Sequence, residues 1–398
     1  MYGLEGIRVI SFNHFLMGPL GVQYLGDLGA DVISVEPIEG AFQRKWGGVD
    51  SLTVDGHTML QLLGNRNKRS VALNLKDPRG LDIVRKLIAT ADVLTENFRP
   101  GVMAKLGLGY DAAKAIKPDI IYAAGSGFGA DGPYVNRPGQ DLIIQAMSGI
   151  AEITGKRGDG PRAIGVSAVD HHGAALYAMG ILAALLRRNV DGQGCRVDVN
   201  LLSAAISLQQ ESFTCYLNGG RPQDVSQPGH VAGWYFSPPY GIYPTADGHI
   251  AISLGSLDVI YDILGVPSSE RIATDKAFAE RERISNLLAR YLVPNPTAHW
   301  VSAFQEKDVW HSPVNDYAAV VADPQVRHLE SFTTVSGENG DPVTLVSHPI
   351  FYDGKAPGVR LPPQRLGAQT QAVLEELEFS AREIDELRDS GVILVASK

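Results

Sequence analysis

Short runs of β-branched residues alternate with helical stretches through the first half of this chain. Ile7–Phe12 reads as a buried strand, and Asp31–Glu36, Ser70–Leu75, Ala91–Glu96, Asp119–Ala124 and Arg196–Asn200 follow it as further strands. Gly18-Pro19 turns the chain into a helix through Leu28, and Arg79–Thr90, Asp111–Ile116, Asp141–Ile153, His172–Arg188 and Leu201–Leu217 read as helices. Strands alternating with helices of this length imply parallel βαβ units with right-handed crossovers. The expected fold class is therefore α/β, a doubly wound, mostly parallel, Rossmann-like sheet.

The pattern changes after about Asn218. Gly219 to Gly229 is rich in turn residues. Tyr240 to Leu254 reads as a β-hairpin turning at Asp247-Gly248, followed by helices around Leu257–Leu264, Phe278–Leu292 and Ala298–Lys307. The sequence predicts a large domain over 1–200 and 335–398, a smaller α+β domain over 226–325, and linkers at 201–225 and 326–334. Pro342–Pro349 reads as a strand, and Ser380-Ala-Arg-Glu383 has the form of a capping box.

With 398 residues, a net charge of -9 and 44% hydrophobic residues, the chain has ordinary enzyme composition and room for two domains. Its acidity argues against nucleic-acid partners. No apolar run reads as membrane-spanning and the start lacks a signal-peptide pattern, so the expectation is a cytoplasmic protein with no membrane partner. Cys195 and Cys215 are the only cysteines, too few for a disulfide framework or a cysteine-rich zinc site. Adjacent His171 and His172 project to different sides of a helix start, a poor metal geometry, and no metal is expected.

The first βα turn, Asn13-His-Phe-Leu-Met-Gly-Pro-Leu-Gly21, has no G-x-G-x-x-G, although Glu36 stands where a ribose-binding acid would. Walker A and G-x-S-x-G motifs are also absent. Ligands of open α/β sheets bind outside the carboxyl ends of the strands. The basic run Asn65–Ser70, with Lys76, Arg99 and Lys105, is thus placed to meet a phosphorylated ligand, and Phe98 to lie against adenine or pantetheine. Asp170 follows the small-residue stretch Gly165-Val-Ser-Ala-Val and precedes a long apolar helix. It reads first as an N-cap, and second as a carboxylate held ionised at a helix start.

Taken in order, Leu4–Ile10, the His14-to-Pro19 turn, Leu28–Glu36, Asn67–Ser70, Ala91–Gly101, Asp141–Gly149, the helix after Asp170, Asp191–Gly194 and Tyr240–Gly248 resemble the class III CoA-transferase family. That family includes formyl-CoA and carnitine-CoA transferases and α-methylacyl-CoA racemases. The resemblance implies an acyl-CoA:carboxylate CoA transferase with Asp170 as the nucleophile, forming an acyl anhydride and then an aspartyl-CoA thioester. It implies no permanently bound cofactor, coenzyme A and acyl-CoA as substrates, small carboxylic acids as co-substrates, and an interlocked homodimer of ring-shaped subunits. Carried over by position, the CoA contacts fall on His14, Phe15, Leu16, Met17, Leu73, Lys76, Asn97, Phe98, Arg99, Lys105, Arg137 and Gln140. Arg44, Arg137 and His230 are candidates for a second carboxylate. Leu16 replaces the glutamine of formyl-CoA transferases, which points away from formate and oxalate. Gln140 replaces the histidine of the racemases and cannot exchange a proton near neutral pH, which disfavours racemisation, the alternative use of Asp170. A non-catalytic CoA-binding protein is the remaining reading.

Overall fold

Val9 and Ile10, Val32 and Ile33, and Val93 and Leu94 are consecutive pairs in which both members are essentially inaccessible. Successive strand residues point to opposite faces, so both faces of these strands are covered. The computed structural model, which describes residues 2–220 and 222–396, shows the cause. Strands β1 (Arg8–Phe12), β2 (Asp31–Glu36), β3 (Lys68–Leu73), β4 (Val93–Glu96), β5 (Ile121–Ser126), β6 (Cys195–Asn200) and β7 (Ile393–Leu394) form one sheet in the order β7-β3-β2-β1-β4-β5-β6. All neighbours are parallel except the edge strand β7, which runs antiparallel to β3. One face packs on a cluster that includes Ile10, Ile33, Leu94, Ile83 and Leu87, and the other on a cluster that includes Val9, Val32, Val93, Tyr177 and Ile181.

The strand order reverses at β1, which pairs with β2 on one side and β4 on the other. The chain leaves β1 into helix α1 (Met17–Asp27). Pro19 is tolerated there because N–H groups in a first helical turn have no helical partner. Helix α2 (Asp141–Met147) and the long helix α3 (Ala168–Asp191) follow β5. A Cβ on Gly21 would stand 2.9 Å from the Ala174 carbonyl oxygen, so glycine is what lets α1 lie close on α3.

Three sequence expectations change. Helix Asp141–Ile153 is broken into α2 and Ile150–Thr154 because Gly149 adopts a left-handed conformation at φ 89. Helix α3 begins four residues before His172, at Ala168, and reaches 24 residues. By length and composition alone α3 is apolar enough to cross a membrane, contrary to the sequence reading. Packing accounts for one side of it: Val169, Ala174, Tyr177, Ile181 and Leu185 are buried where the helix meets α1 and the sheet.

The chain divides into two compact units. One comprises residues up to Ile144, Ser167–Leu208 and residues from Arg327 on; the other comprises Gln145–Val166 and Gln209–Val326. The second unit thus takes in 145–166, which the sequence assigned to the large domain. The expected linker 201–225 contains helices Leu201–Leu208 and Gln210–Cys215, and the expected linker 326–334 runs into the strand Phe332–Ser336. The second unit has a three-stranded antiparallel sheet of Gly241–Pro244, His249–Ile252 and His311–Pro313. Its own core includes Tyr243, Tyr261, Leu288, Trp300 and Phe304.

The basic run before β3 is structural. The Arg66 guanidinium meets the fully buried Asp27 carboxylate at 2.7 Å, with Asn67 and His348 as further partners. Lys68 is buried with its ammonium on the carbonyls of Pro19 and Gly64, and Arg69 pairs with Asp31 and Glu376. None of the three is available to a phosphate. Removing one member of a buried ion pair strands the other charge, at a cost of about 3–5 kcal/mol. Arg66→Ala is therefore expected to lower unfolding stability by about that amount in denaturant melts.

Candidate active site

The reversal of strand order at β1 and β4 opens a crevice at their carboxyl ends, where ligands of such sheets bind. Two loops meet there and are tied together by one side chain. The His14 N–H donates to Asn97 Oδ1 at 2.8 Å, and Asn97 Nδ2 donates to the His14 carbonyl at 2.8 Å. The His14 ring stacks on Phe98, with centroids 5.2 Å apart, and lies 4.8 Å from that of Phe15. Phe15 holds φ at 60, an uncommon conformation for a bulky residue and the kind of strain that persists at binding sites.

A third loop leaves β5. At Gly125 any side chain would strike the end of Met17. Gly127 and Gly139 pass so closely that neither could carry a Cβ, and this crossing folds the segment back over the crevice. The resulting cleft has a volume of about 270 Å³ and is lined by all three loops together with Asp170 and Leu201. It collects His14, Phe15, Met17, Asn97, Phe98, Arg99, Arg137, Gln140 and Asp170 from the sequence prediction.

The other predicted contacts do not line this cleft. Leu16 is buried. Leu73 lies in β3, paired with Ile393 and wholly inside the core, so its side chain cannot meet a ligand. Lys76 and Lys105 are exposed beyond the cleft, near the carboxyl ends of β3 and β4. Among the described residues Lys76, Arg99, Lys105 and Arg137 pair with no carboxylate, and the Arg137 guanidinium sits 4.0 Å over the Tyr134 ring. Arg44 is committed elsewhere: its Nη2 donates to Glu36 at 2.6 Å and its Nη1 to the Gln364 carbonyl at 2.9 Å. That bond also neutralises Glu36, which is buried and unavailable to a ribose. His230 belongs to the second unit.

Asp170 is not the N-cap. That position is Ser167, which makes no side-chain capping bond, and Asp170 lies in the first turn of α3. Its own N–H is taken by Asp141, whose Oδ1 accepts it at 2.9 Å. Sequence reasoning missed this pairing because the two aspartates are 29 residues apart and only the fold brings them together. The single available signal was that Asp141 opens a helix.

Burial, and then the charge of Asp141, push the Asp170 carboxyl up to about 7. The sequence had suggested a carboxylate kept ionised by the helix start. A helix end contributes about 0.3–1 kcal/mol, less than one pKa unit, so burial and the like charge prevail. Beside it, burial holds the His14 imidazole neutral at about 4, with partial opposition from Asn97. The cleft therefore offers a partly desolvated carboxylate, neutral hydrogen-bonding groups and two peripheral guanidiniums, Arg99 and Arg137. Such a carboxylate is less solvated than one in water, and carboxylates as a class need no separate base to act as nucleophiles.

A carboxyl that titrates near 3.8 when unfolded and near 7 when folded destabilises the fold as the pH rises between those values. Asp170→Asn is therefore expected to melt several degrees higher than the parent at alkaline pH, with the difference vanishing by about pH 4. Asp141→Asn keeps the acceptor for the Asp170 amide but removes the charge. The acid limb of kcat/KM should then move to lower pH.

The model of CoA-transferase family III matches residues 4–370 of this chain. The chain is 34% identical to the succinyl-CoA:glutarate CoA-transferase of Mus musculus, covering 99% of this chain and 91% of that protein. It is 32% identical to the acetyl-CoA:oxalate CoA-transferase of Acetobacter aceti, covering 95% and 96% respectively. The crystal structure of a CAIB/BAIF family protein from Brucella suis superposes with a TM-score of 0.82 at 29% identity, over 94% of this chain and 99% of that one. The crevice at the β1–β4 reversal, the carboxylate at its wall and the match along nearly the whole length agree: this chain belongs to CoA-transferase family III and is a class III CoA-transferase.

Proposed function

We propose that this enzyme moves CoA between two small organic acids, at least one of them dicarboxylic, with Asp170 as the covalent carrier. The observation that carries this reading is the place of Asp170: a half-buried carboxylate on the wall of the cleft that lies outside the carboxyl ends of β1, β4 and β5. One Asp170 oxygen attacks the thioester carbonyl, giving an acyl-aspartyl anhydride and CoA thiolate. The thiolate attacks the aspartyl carbonyl, giving an aspartyl-CoA thioester and releasing the donor acid. The acceptor carboxylate displaces the thiolate to form a second anhydride. The thiolate then attacks the acceptor acyl carbon, giving the new acyl-CoA and restoring the Asp170 carboxylate.

Each group in the cleft has work in this scheme. His14, Phe15, Met17, Asn97 and Phe98 form the wall along the pantetheine chain. Arg99 and, farther out, Lys76 and Lys105 meet the phosphates. Arg137 is the cation for a second carboxylate of the acid substrate. Gln140 supplies an amide donor to the oxygen of the attacked carbonyl, which fits acyl transfer, whereas proton exchange at an α-carbon needs a second titrating group. Succinyl-CoA is the first donor to test and glutarate the first acceptor, because a relative 34% identical to this chain is named for that pair.

A homodimer fits the same reading. Met179, Leu186 and Val190 project from α3 into solvent, an apolar face that a second copy of the chain would cover. The interlocked ring remains part of this proposal.

Incubated with succinyl-CoA alone, the enzyme is expected to accumulate an adduct on the Asp170 peptide that hydroxylamine converts to a hydroxamate, detectable by mass spectrometry. Added glutarate should discharge it to glutaryl-CoA. Asp170→Ala should do neither, losing at least about 10³-fold in turnover, as expected when a covalent nucleophile is removed. Full transferase turnover by that variant would overturn the mechanism.

A further inference from the structure

Glu96 ends β4, and the wall of the cleft begins one residue later. Its carboxylate is buried and engaged on both oxygens. Oε2 accepts the Phe98 N–H at 2.8 Å, and Oε1 accepts the Tyr122 hydroxyl at 3.4 Å. Its peptide is pinned as well, because the Tyr177 hydroxyl lies 3.2 Å from the Glu96 nitrogen and 3.1 Å from its carbonyl oxygen. The next residue, Asn97, is the tie to His14, and the residue after that stacks on the His14 ring. The Glu96 carboxylate is thus the inner support of the segment that carries Asn97 and Phe98.

On its other side Glu96 opens onto a second cavity of about 560 Å³, lined also by Met103, Tyr110, Tyr122, Arg196 and Asp198. This cavity shares Phe98, Pro100, Gly125 and Ser126 with the active-site cleft. Nothing in the transfer chemistry uses it.

We propose that Glu96 is a positioning residue: its ionised carboxylate, acting through the Phe98 amide, holds the His14–Asn97–Phe98 wall in the posture that receives CoA, and the second cavity is the route by which solvent protons reach it. This rests on the reading of the cleft as the CoA site. The groups that face the carboxylate are Tyr122 from β5, Tyr177 from α3, Arg196 and Asp198 from β6, and the Phe98 amide on its own loop. Both tyrosines are held above their ordinary range by burial and stay neutral. Arg196 is bound through Nε and Nη2 to Asp198, at 3.0 and 2.8 Å, so its pull on Glu96 is opposed by its own partner. Burial, partly countered by the Phe98 and Tyr122 bonds, then pushes Glu96 up to about 7. Ionised, it accepts a charge-assisted bond from Phe98. Protonated, it offers a neutral one, weaker by about fivefold in equilibrium terms.

The test is calorimetric titration of CoA itself into Asp170→Asn, which removes the other titrating carboxylate, and into the same chain carrying Glu96→Gln. Titrations are run at about pH 6 and about pH 8, one unit either side of the Glu96 transition. Ionisation of the CoA phosphate affects both proteins equally and cancels between them. Kd for the Asp170→Asn protein is expected to weaken about fivefold more on acidification than Kd for the double variant, because glutamine mimics protonated Glu96 at both pH values. Equal pH dependence in the two proteins would overturn the role of Glu96. Failure of Asp170→Asn to bind CoA at either pH would instead overturn the reading of the cleft. Should Glu96→Gln not fold, Tyr122→Phe in the same background removes a bond that favours the ionised form and should shift the midpoint of the Kd transition to higher pH. An unmoved midpoint would equally overturn the proposal.

Discussion

One side-chain amide holds the site together. Asn97 bonds the backbone of His14 through both its oxygen and its nitrogen, and so ties the loop leaving β1 to the loop leaving β4. Those are the two strands at which the order of the sheet reverses, where the connections diverge and leave a crevice. Without this tie each loop would be an independent segment with its own conformational freedom. With it, the strained Phe15 and the stacked His14 and Phe98 rings form one surface. Gly125 then lets the strand end lie against Met17 and Asn97, and Gly127 and Gly139 let the third loop cross itself where neither could carry a Cβ.

The electrostatics of the cleft follow from burial rather than from the helix end. Asp170 sits in the first turn of a 24-residue helix, yet its carboxyl is raised by desolvation and by Asp141, whose oxygen holds the Asp170 amide. The geometry that fixes Asp170 thus also raises its energy when ionised. A carboxylate in that condition has lost solvation that an anhydride or thioester would not need, which brings its ground state closer to the intermediates of the proposed scheme. The apolar burial on both faces of the sheet offsets that cost.

Much of this was legible in the sequence because strand burial is a local pattern. The six parallel strands and their order of appearance follow from β-branched runs such as Asp31–Glu36; Phe98 and Arg99 follow from their place just after such a run, whereas His14, Phe15, Met17, Asn97, Arg137 and Gln140 came with the family resemblance. Pairings across distance were not legible. The seventh strand, Ile393–Leu394, is two residues long and exists only because β3 is there to pair with it. The run Asn65–Ser70 reads as a phosphate site from charge alone, whereas Asp27, Asp31 and His348, the partners that bury it, lie far away in the chain. Asp141 capping Asp170 and Glu96 bracing Phe98 belong to the same class: each residue sits inside a recognisable motif, but its role depends on a neighbour that only the folded sheet supplies.

The central claim is that Asp170 itself carries the acyl group and then CoA. The most direct measurement is turnover with an acceptor acid whose carboxylate oxygens are heavy-isotope labelled, followed by mass analysis of the Asp170 peptide. In the scheme above the acceptor oxygen bridges the second anhydride and stays on the aspartate when the thiolate takes the acyl group, so label must appear in the Asp170 carboxyl. Direct transfer, in which the acceptor attacks the donor thioester without the enzyme's participation, gives the same products with Asp170 unlabelled, and that result would contradict the account.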